Sequence, residues 1–187
     1  KPVWLGYDPN HQGRDDAALT VIAPPDQAGV GKFRVLAKFR LNGMDFQEQA
    51  DFIRSIARRF NVTDIAIDAR GGIGAAVLQL VQRWFPNVRA IEYTVAVKAA
   101  LVLKGQSLFR QGRVEFDQGW SDVMQAFMAI RPTTTGSGRG VTYTAGRNGQ
   151  IGHADIAWAI LHAFSNEPLD IAADAEGIGT AQVVFSD

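Results

Sequence analysis

The sequence has no cysteine, no excess charge of either sign and no hydrophobic run long enough to cross a membrane. The lack of cysteine excludes disulfides, thiolate zinc sites, iron–sulfur clusters and a thiol nucleophile, so a catalytic site would use oxygen or imidazole groups. Nineteen basic and nineteen acidic side chains balance, so any surface for a polyanion must be local. No apolar run approaches the roughly 20 residues that span a bilayer, and no membrane partner is expected.

Length and hydrophobic content predict one folded domain. Of the 187 residues, 47% are hydrophobic and 20% are charged, which is sufficient for a core of its own. The chain starts Lys1-Pro2-Val3 without an initiator methionine or a signal-peptide pattern, and we expect a soluble piece of a longer protein. Residues 1–169 are predicted to form the domain, and the Ala-, Asp- and Gly-rich residues 170–187 to form a loosely ordered tail.

The first part of the chain predicts strands that pair antiparallel. Apolar stretches bounded by polar turns indicate strands at 3–8, 17–24 and 32–41. Their direct succession favours an antiparallel meander with one solvent-facing side.

The pattern then changes to alternating helices and strands. A helix is predicted at 46–60, a strand at 63–68, a helix at 75–85 and a strand at 87–93, which indicates parallel strands joined by right-handed crossovers. Further helices are predicted at 95–111, 119–130 and 154–164, with an exposed hairpin between 132 and 150 that includes a strand at 141–145. The fold class is therefore α/β, a mixed sheet flanked by helices, with antiparallel strands first and parallel strands after.

Three aspartates lie where predicted elements begin or end. Asp8 ends the first strand, Asp68 ends the strand at 63–68, and Asp155 lies in the first turn of the last helix. Asp is common where strands stop and at helix N-termini, so each position also has a structural explanation. The carboxyl ends of parallel strands form a crevice in which Asp8 and Asp68 can converge. If all three meet, their repulsion requires a cation, and hard oxygen ligands select Mg²⁺ or Mn²⁺, two of which suit phosphodiester cleavage.

Histidine and a further acid are auxiliary candidates. His153 is either a metal ligand, a proton shuttle or part of the helix cap. Asp16 follows Asp8 closely enough to enter the same pocket, although a solvated loop is also a natural place for it. His162, with apolar neighbours on the last helix, gives no functional signal.

Basic residues in the second half of the chain are candidates for DNA contacts. They are Lys98, Lys104, Arg139 and Arg147. Arg139 and Arg147 lie in the Gly- and Thr-rich hairpin, where side chains could follow a phosphate backbone without displacing a core. A solvated surface role is the alternative for all four.

A glycine segment suggests a different class of protein. Gly72-Ile73-Gly74 follows a strand and precedes a helix, and Glu92 lies about 20 residues further on, as in a dinucleotide-binding fingerprint. This interpretation predicts an oxidoreductase. It is weakened by Val77 at the third glycine position and by the negative charge of Asp68 beside the expected pyrophosphate.

Four segments resemble, in order, the C-terminal nuclease domain of the large terminase subunit of tailed bacteriophages, most closely the branch that packages DNA from cohesive-end sites. The segments are GYDP at 6–9, IDA at 67–69 with GIG at 72–74, the stretch 98–116 ending QGRVEF, and HADIAWA at 153–159. The resemblance covers residues 3–169. It implies a ribonuclease H-like fold, two bound divalent cations and cleavage of concatemeric double-stranded viral DNA during genome packaging.

The resemblance also implies residue roles and partners. The acids of the family fall on Asp8, Asp68 and Asp155, where Asp68 takes a position that is Glu in some relatives. The implied partners are DNA, an N-terminal ATPase motor domain in the same protein, the terminase small subunit and the portal of the procapsid, in the cytoplasm of a bacterial host. The sequence has no phosphate-binding loop of such a motor, so this chain alone is not expected to translocate DNA. A non-catalytic DNA- or capsid-docking module of the same fold remains an alternative.

Overall fold

The computed structural model describes residues 1–9, 17–135, 141–145 and 154–167. The elements formed by these residues are β1 (Pro2–Asp8), β2 (Ala17–Ala23), β3 (Phe33–Leu41), α1 (Phe46–Arg59), β4 (Asn61–Asp68), α2 (Gly72–Gln82), β5 (Arg89–Ile91), α3 (Val95–Arg110), β6 (Val114–Glu115), α4 (Ser121–Ala129), β7 (Ile130–Thr134), β8 (Val141–Ala145) and α5 (Asp155–Phe164). Among these helices, none combines the length and the apolar character that crossing a membrane requires. The predicted tail, 170–187, lies outside the described residues.

The main sheet has six strands in the order β5-β4-β1-β2-β3-β6. Strand β2 pairs antiparallel with β1 and β3, whereas β1 pairs parallel with β4, and β4 pairs parallel with β5. The predicted mixed sheet is therefore confirmed, with β1 as the strand where the antiparallel and parallel parts join. Strands β7 and β8 form a separate antiparallel pair, which confirms the predicted strand at 141–145 and its hairpin pairing, whereas β7 begins at Ile130, within the helix predicted at 119–130.

Both faces of the sheet are covered at β1 and β2, so the predicted solvent-facing side of the meander is wrong for these strands, whereas β3 keeps exposed residues at Arg34, Leu36 and Arg40. Helices α1 and α2 share one hydrophobic cluster with Leu5 and Ile65, and helices α3, α4 and α5 share the other with Ile22 and Ala66. All seven residues of β2 are buried. The reason is that α5, far away in sequence, packs on β1 and β2.

Some element boundaries also differ from the predictions. Helix α1 begins as predicted because Asp45 and Glu48 form a reciprocal capping box. Helix α2 begins at Gly72 rather than near residue 75, directly after Gly71, whose φ of 89° suits glycine. Strand β6 was not predicted, because its two residues are too few to show an alternating pattern, and it pairs parallel with β3.

Helix α5 packs against β1 at Gly6. A Cβ atom at this position would lie 1.8 Å from the carbonyl oxygen of Ala159 and 2.8 Å from the backbone nitrogen of Ala163. Only glycine lets the two backbones approach so closely. Since Asp155 begins the same helix, this contact sets the position of Asp155 relative to the end of β1.

Candidate metal centre

Two of the three predicted aspartates lie side by side at one edge of the sheet. Strands β1 and β4 run parallel with Tyr7 opposite Ile67, so Asp8 and Asp68 follow on adjacent strands. Both are buried, with 6% and 0% of the residue surface exposed. Buried, well-packed strand ends restrict the movement of both carboxylates, which is what a preorganised site needs.

The third aspartate joins them from the last helix. Asp155 is the first residue of α5 and is half-buried. The pKa of Asp8 is raised well above its usual value, first by burial, then by repulsion from Asp155 and from Asp68. The structure therefore brings all three carboxylates into one electrostatic cluster.

The glycines after Asp68 have a packing role. The Oδ1 atom of Asp68 accepts a hydrogen bond from the backbone N–H of Arg70 at 2.8 Å, which holds the turn after β4. A Cβ on Gly74 would lie 2.1 Å from the carbonyl oxygen of Asp68, so α2 begins tightly against the end of β4. This packing accounts for the glycine segment without a nucleotide, and the Glu92 of the dinucleotide interpretation is exposed.

A lysine that was predicted as a DNA contact faces the carboxylates. The ammonium of Lys98 lies 5.3 Å from the ring centre of Tyr93 and 5.2 Å from that of Trp158. Burial and the neighbouring Arg70 lower the pKa of Lys98, while Asp8 and Asp68 oppose this change. The cation is thus held by two aromatic rings within the electrostatic reach of the acids.

Sequence reasoning missed the residues behind this cluster. His162, buried on α5, is within hydrogen-bond distance of the hydroxyl of Tyr93 at 2.6 Å and of the carbonyl oxygen of Tyr7 at 3.0 Å. Burial lowers the pKa of His162 to about 4, so the ring is neutral at physiological pH. A signal was present in the sequence, because Asp155, Trp158 and His162 recur at helical spacing and share one face of α5.

The other predicted site residues are placed differently or lie outside the described residues. The ammonium of Lys104 donates to the carbonyl oxygens of Ser165 and Glu167, where it satisfies the end of α5; its predicted DNA contact stays a prediction. His153, Asp16, Arg139 and Arg147 lie outside the described residues.

The donor set suits a hard divalent cation. Three carboxylates supply the oxygen ligands that Mg²⁺ and Mn²⁺ prefer, and a cation would relieve the repulsion that raises the pKa of Asp8. In their present arrangement, the described residues contain no group of three acidic or histidine side chains that could hold an ion. Binding of an ion would therefore require the half-buried Asp155 to approach the two buried carboxylates.

The Asp8→Asn variant is expected to change how stability depends on pH in metal-free protein. Because the folded pKa of Asp8 is raised, its contribution to stability is present in acid and lost as pH rises through that pKa. The variant should therefore gain stability over the wild type as pH increases from about 4 towards 8. Denaturant unfolding in EDTA across this range measures the difference, and identical pH profiles would contradict the expectation.

The titration of His162 does not affect this comparison of wild type and variant. Its lowered pKa gives stability that is present above the ordinary value of 6.5 and is lost as pH falls towards about 4. This opposite slope is common to both proteins and cancels in their difference.

The mixed sheet carries buried carboxylates at the ends of its two central parallel strands, and the last helix supplies a third carboxylate. This arrangement defines a ribonuclease H-like domain with an acidic site. The family model described as "Terminase RNaseH-like domain" matches residues 5–167. The chain belongs to this family.

Individual relatives agree with this assignment. The chain is 49% identical over 169 residues to the terminase ATPase subunit of Escherichia phage P2 and 36% identical over 170 residues to the probable terminase ATPase subunit of Haemophilus phage HP1. Each match covers 90% of this chain but only 28% of the relative. The fold is similar to that of the large terminase nuclease from thermophilic phage G20c with bound magnesium, with a TM-score of 0.70 at 19% identity, over 88% of this chain and 80% of that one.

Proposed function

We propose that the domain is the nuclease of a phage large terminase and cuts concatemeric double-stranded DNA during genome packaging. The observation that carries the proposal is that Asp8 and Asp68 end adjacent parallel strands, with Asp155 close enough to repel the Asp8 carboxylate. Membership of the terminase RNaseH-like family and the magnesium bound by the G20c nuclease support the same chemistry.

In this proposal, Asp8, Asp68 and Asp155 hold two divalent ions. When bound, such ions activate water and stabilise the leaving 3′ oxygen in phosphodiester hydrolysis. The two strand-end carboxylates are fixed by their burial, whereas Asp155 comes from the packed helix α5. A displacement of α5 would therefore separate the ligands.

Positive side chains beside the acids would orient the DNA strand. Lys98 is held over Tyr93 and Trp158, and Arg70 is exposed two residues after Asp68. Each can attract a phosphate that the carboxylates alone would repel. Lys98 and Arg70 would hold the scissile phosphate beside the metal ions that the carboxylates bind.

The remaining partners are proposed from the relatives. The curated relatives are called ATPase subunits, and this chain spans 28% of their length, so we place an ATPase motor elsewhere in the full-length protein. The small subunit, the portal and the host cytoplasm are part of the same proposal.

Arg139 and Arg147 are expected to contribute DNA affinity without sequence preference. Replacing both Arg139 and Arg147 by Ala should weaken binding similarly for unrelated duplexes and flatten the salt dependence, because each phosphate contact adds a slope of about −0.9. Fluorescence anisotropy at several salt concentrations measures this. An unchanged slope in the double variant would refute the contacts.

Plasmid nicking tests the proposed function. The wild-type chain should convert supercoiled plasmid to nicked and linear forms with Mn²⁺ or Mg²⁺, and should stop when EDTA is added. Glu92→Gln is a matched control, because Glu92 is acidic and lies close in sequence to Tyr93 at the site but is exposed; it should cut at the wild-type rate. Metal-loaded protein that binds DNA without cutting it would favour a docking module, and stabilisation by a dinucleotide would favour the oxidoreductase.

A further inference from the structure

The hydrogen bonds of His162 determine which of its two ring nitrogens carries the proton. Its Nδ1 atom lies 3.0 Å from the carbonyl oxygen of Tyr7, which can only accept a hydrogen bond, so Nδ1 carries the proton. Because the buried ring is neutral, Nε2 bears a lone pair. The Tyr93 hydroxyl, 2.6 Å from Nε2, is therefore the donor in that contact.

Tyr93 is held in this orientation from several sides. Its ring packs edge-on against Trp158, with ring centres 5.7 Å apart, and lies 5.5 Å from the ring of His162. Lys98 sits 5.3 Å from its ring centre. Burial, followed by the charges of Asp8 and Asp68, raises the pKa of Tyr93, so the phenol stays protonated at neutral pH.

The hydroxyl hydrogen of Tyr93 is thus used by His162, and only the lone pairs of its oxygen remain for other partners. An acceptor at this place suits a water molecule bound to a cation, or the ammonium of Lys98. The same imidazole holds the carbonyl of Tyr7, the residue before Asp8. One side chain of α5 therefore connects the strand end that carries Asp8 with the phenol whose ring lies beside Lys98.

We propose that His162 is a positioning residue of the metal centre. Its Nδ1 atom holds the backbone next to Asp8, and its Nε2 atom fixes the Tyr93 hydroxyl oxygen as a hydrogen-bond acceptor. The proposal rests on the metal-binding part of the proposed function. Partners behind the ligands of a metal site typically change metal affinity by about 10–100-fold when removed. A histidine that only fills space would instead change stability and leave metal affinity alone.

Three variants separate the two roles. Tyr93→Phe removes the hydroxyl, His162→Leu removes both hydrogen bonds, and His162→Gln keeps one donor for Tyr7 and one acceptor for Tyr93. We expect the dissociation constant for Mn²⁺, measured by calorimetry on the whole chain, to rise about tenfold or more in Tyr93→Phe and His162→Leu. His162→Gln should restore most of the affinity.

Nitrogen NMR of metal-free protein supplies an independent readout. The wild-type imidazole should show the proton on Nδ1, whether or not the domain cuts DNA. A proton on Nε2, or unchanged Mn²⁺ affinity in both Tyr93→Phe and His162→Leu, would overturn the proposal. Wild-type protein that binds no Mn²⁺ would instead refute the metal centre itself, and wild-type binding without cleavage would refute only the nuclease function.

Discussion

The Asp68→Asn variant should lose metal-dependent cleavage while keeping its fold. Asparagine has the shape of Asp68 and can still accept the hydrogen bond from the backbone of Arg70, but it lacks the charge that holds a cation. If bound metal supplies about 4 kcal/mol of transition-state stabilisation, the cleavage rate should fall by about 10³-fold.

Stability measurements separate this loss from unfolding. The side chain of Asp68 is completely buried and repels Asp8, so removing its charge should leave the metal-free melting temperature unchanged or higher. The exposed Glu92→Gln variant serves as the control for an acidic residue near the same edge. Plasmid nicking at the wild-type rate by pure, metal-loaded Asp68→Asn protein would rule out Asp68 as a ligand.

The Gly6→Ala variant should show the largest loss of stability. Its methyl group would be placed 1.8 Å from the carbonyl oxygen of Ala159, and the obstacle is helix backbone that no side-chain rotation can relieve. Overpacking of this kind costs about 3 kcal/mol or more. In a domain of this size, that loss lowers the melting temperature by roughly 10 °C.

Gly72→Ala is the matched control for this substitution. A Cβ at Gly72 meets nothing within 4 Å, and the residue begins α2, so alanine should be neutral or stabilise by about 0.5–1 kcal/mol. Gly6→Ala should also weaken the response to Mn²⁺, because displacing α5 moves Asp155 away from Asp8. Equal melting temperatures for the two alanine variants would show that α5 can shift without cost.

The sequence predicted those parts of the site that depend on local patterns. Asp8 and Asp68 each follow an apolar strand, and the βαβ alternation implied that parallel strands end at the same edge. Their adjacency is confirmed by the pairing of Tyr7 with Ile67. The metal-binding roles of these residues stay a prediction.

What the sequence could not predict depends on contacts between distant elements. Nothing near Gly6 in the sequence indicates that α5 will cover β1, and this contact explains why β1 and β2 have no solvent-facing side. Lys98 and His162 looked like surface and core residues, since helical spacing does not reveal which neighbour a face will meet. Only the packing of α3 and α5 on the sheet brings Lys98 within electrostatic reach of the acids and His162 against the carbonyl oxygen of Tyr7.

The central claim is that Asp8, Asp68 and Asp155 hold the metal. A Mn²⁺ titration of the metal-free chain, which measures binding and not cleavage, tests it most directly. Calorimetry of the wild type should give a saturable isotherm with two ions per chain, and an excess of one hundred times the dissociation constant should add about 2.7 kcal/mol to the free energy of unfolding for one site. The triple variant Asp8→Asn, Asp68→Asn, Asp155→Asn should give neither effect. The same isotherm and the same stabilisation in the triple variant would show that the three carboxylates do not hold the metal.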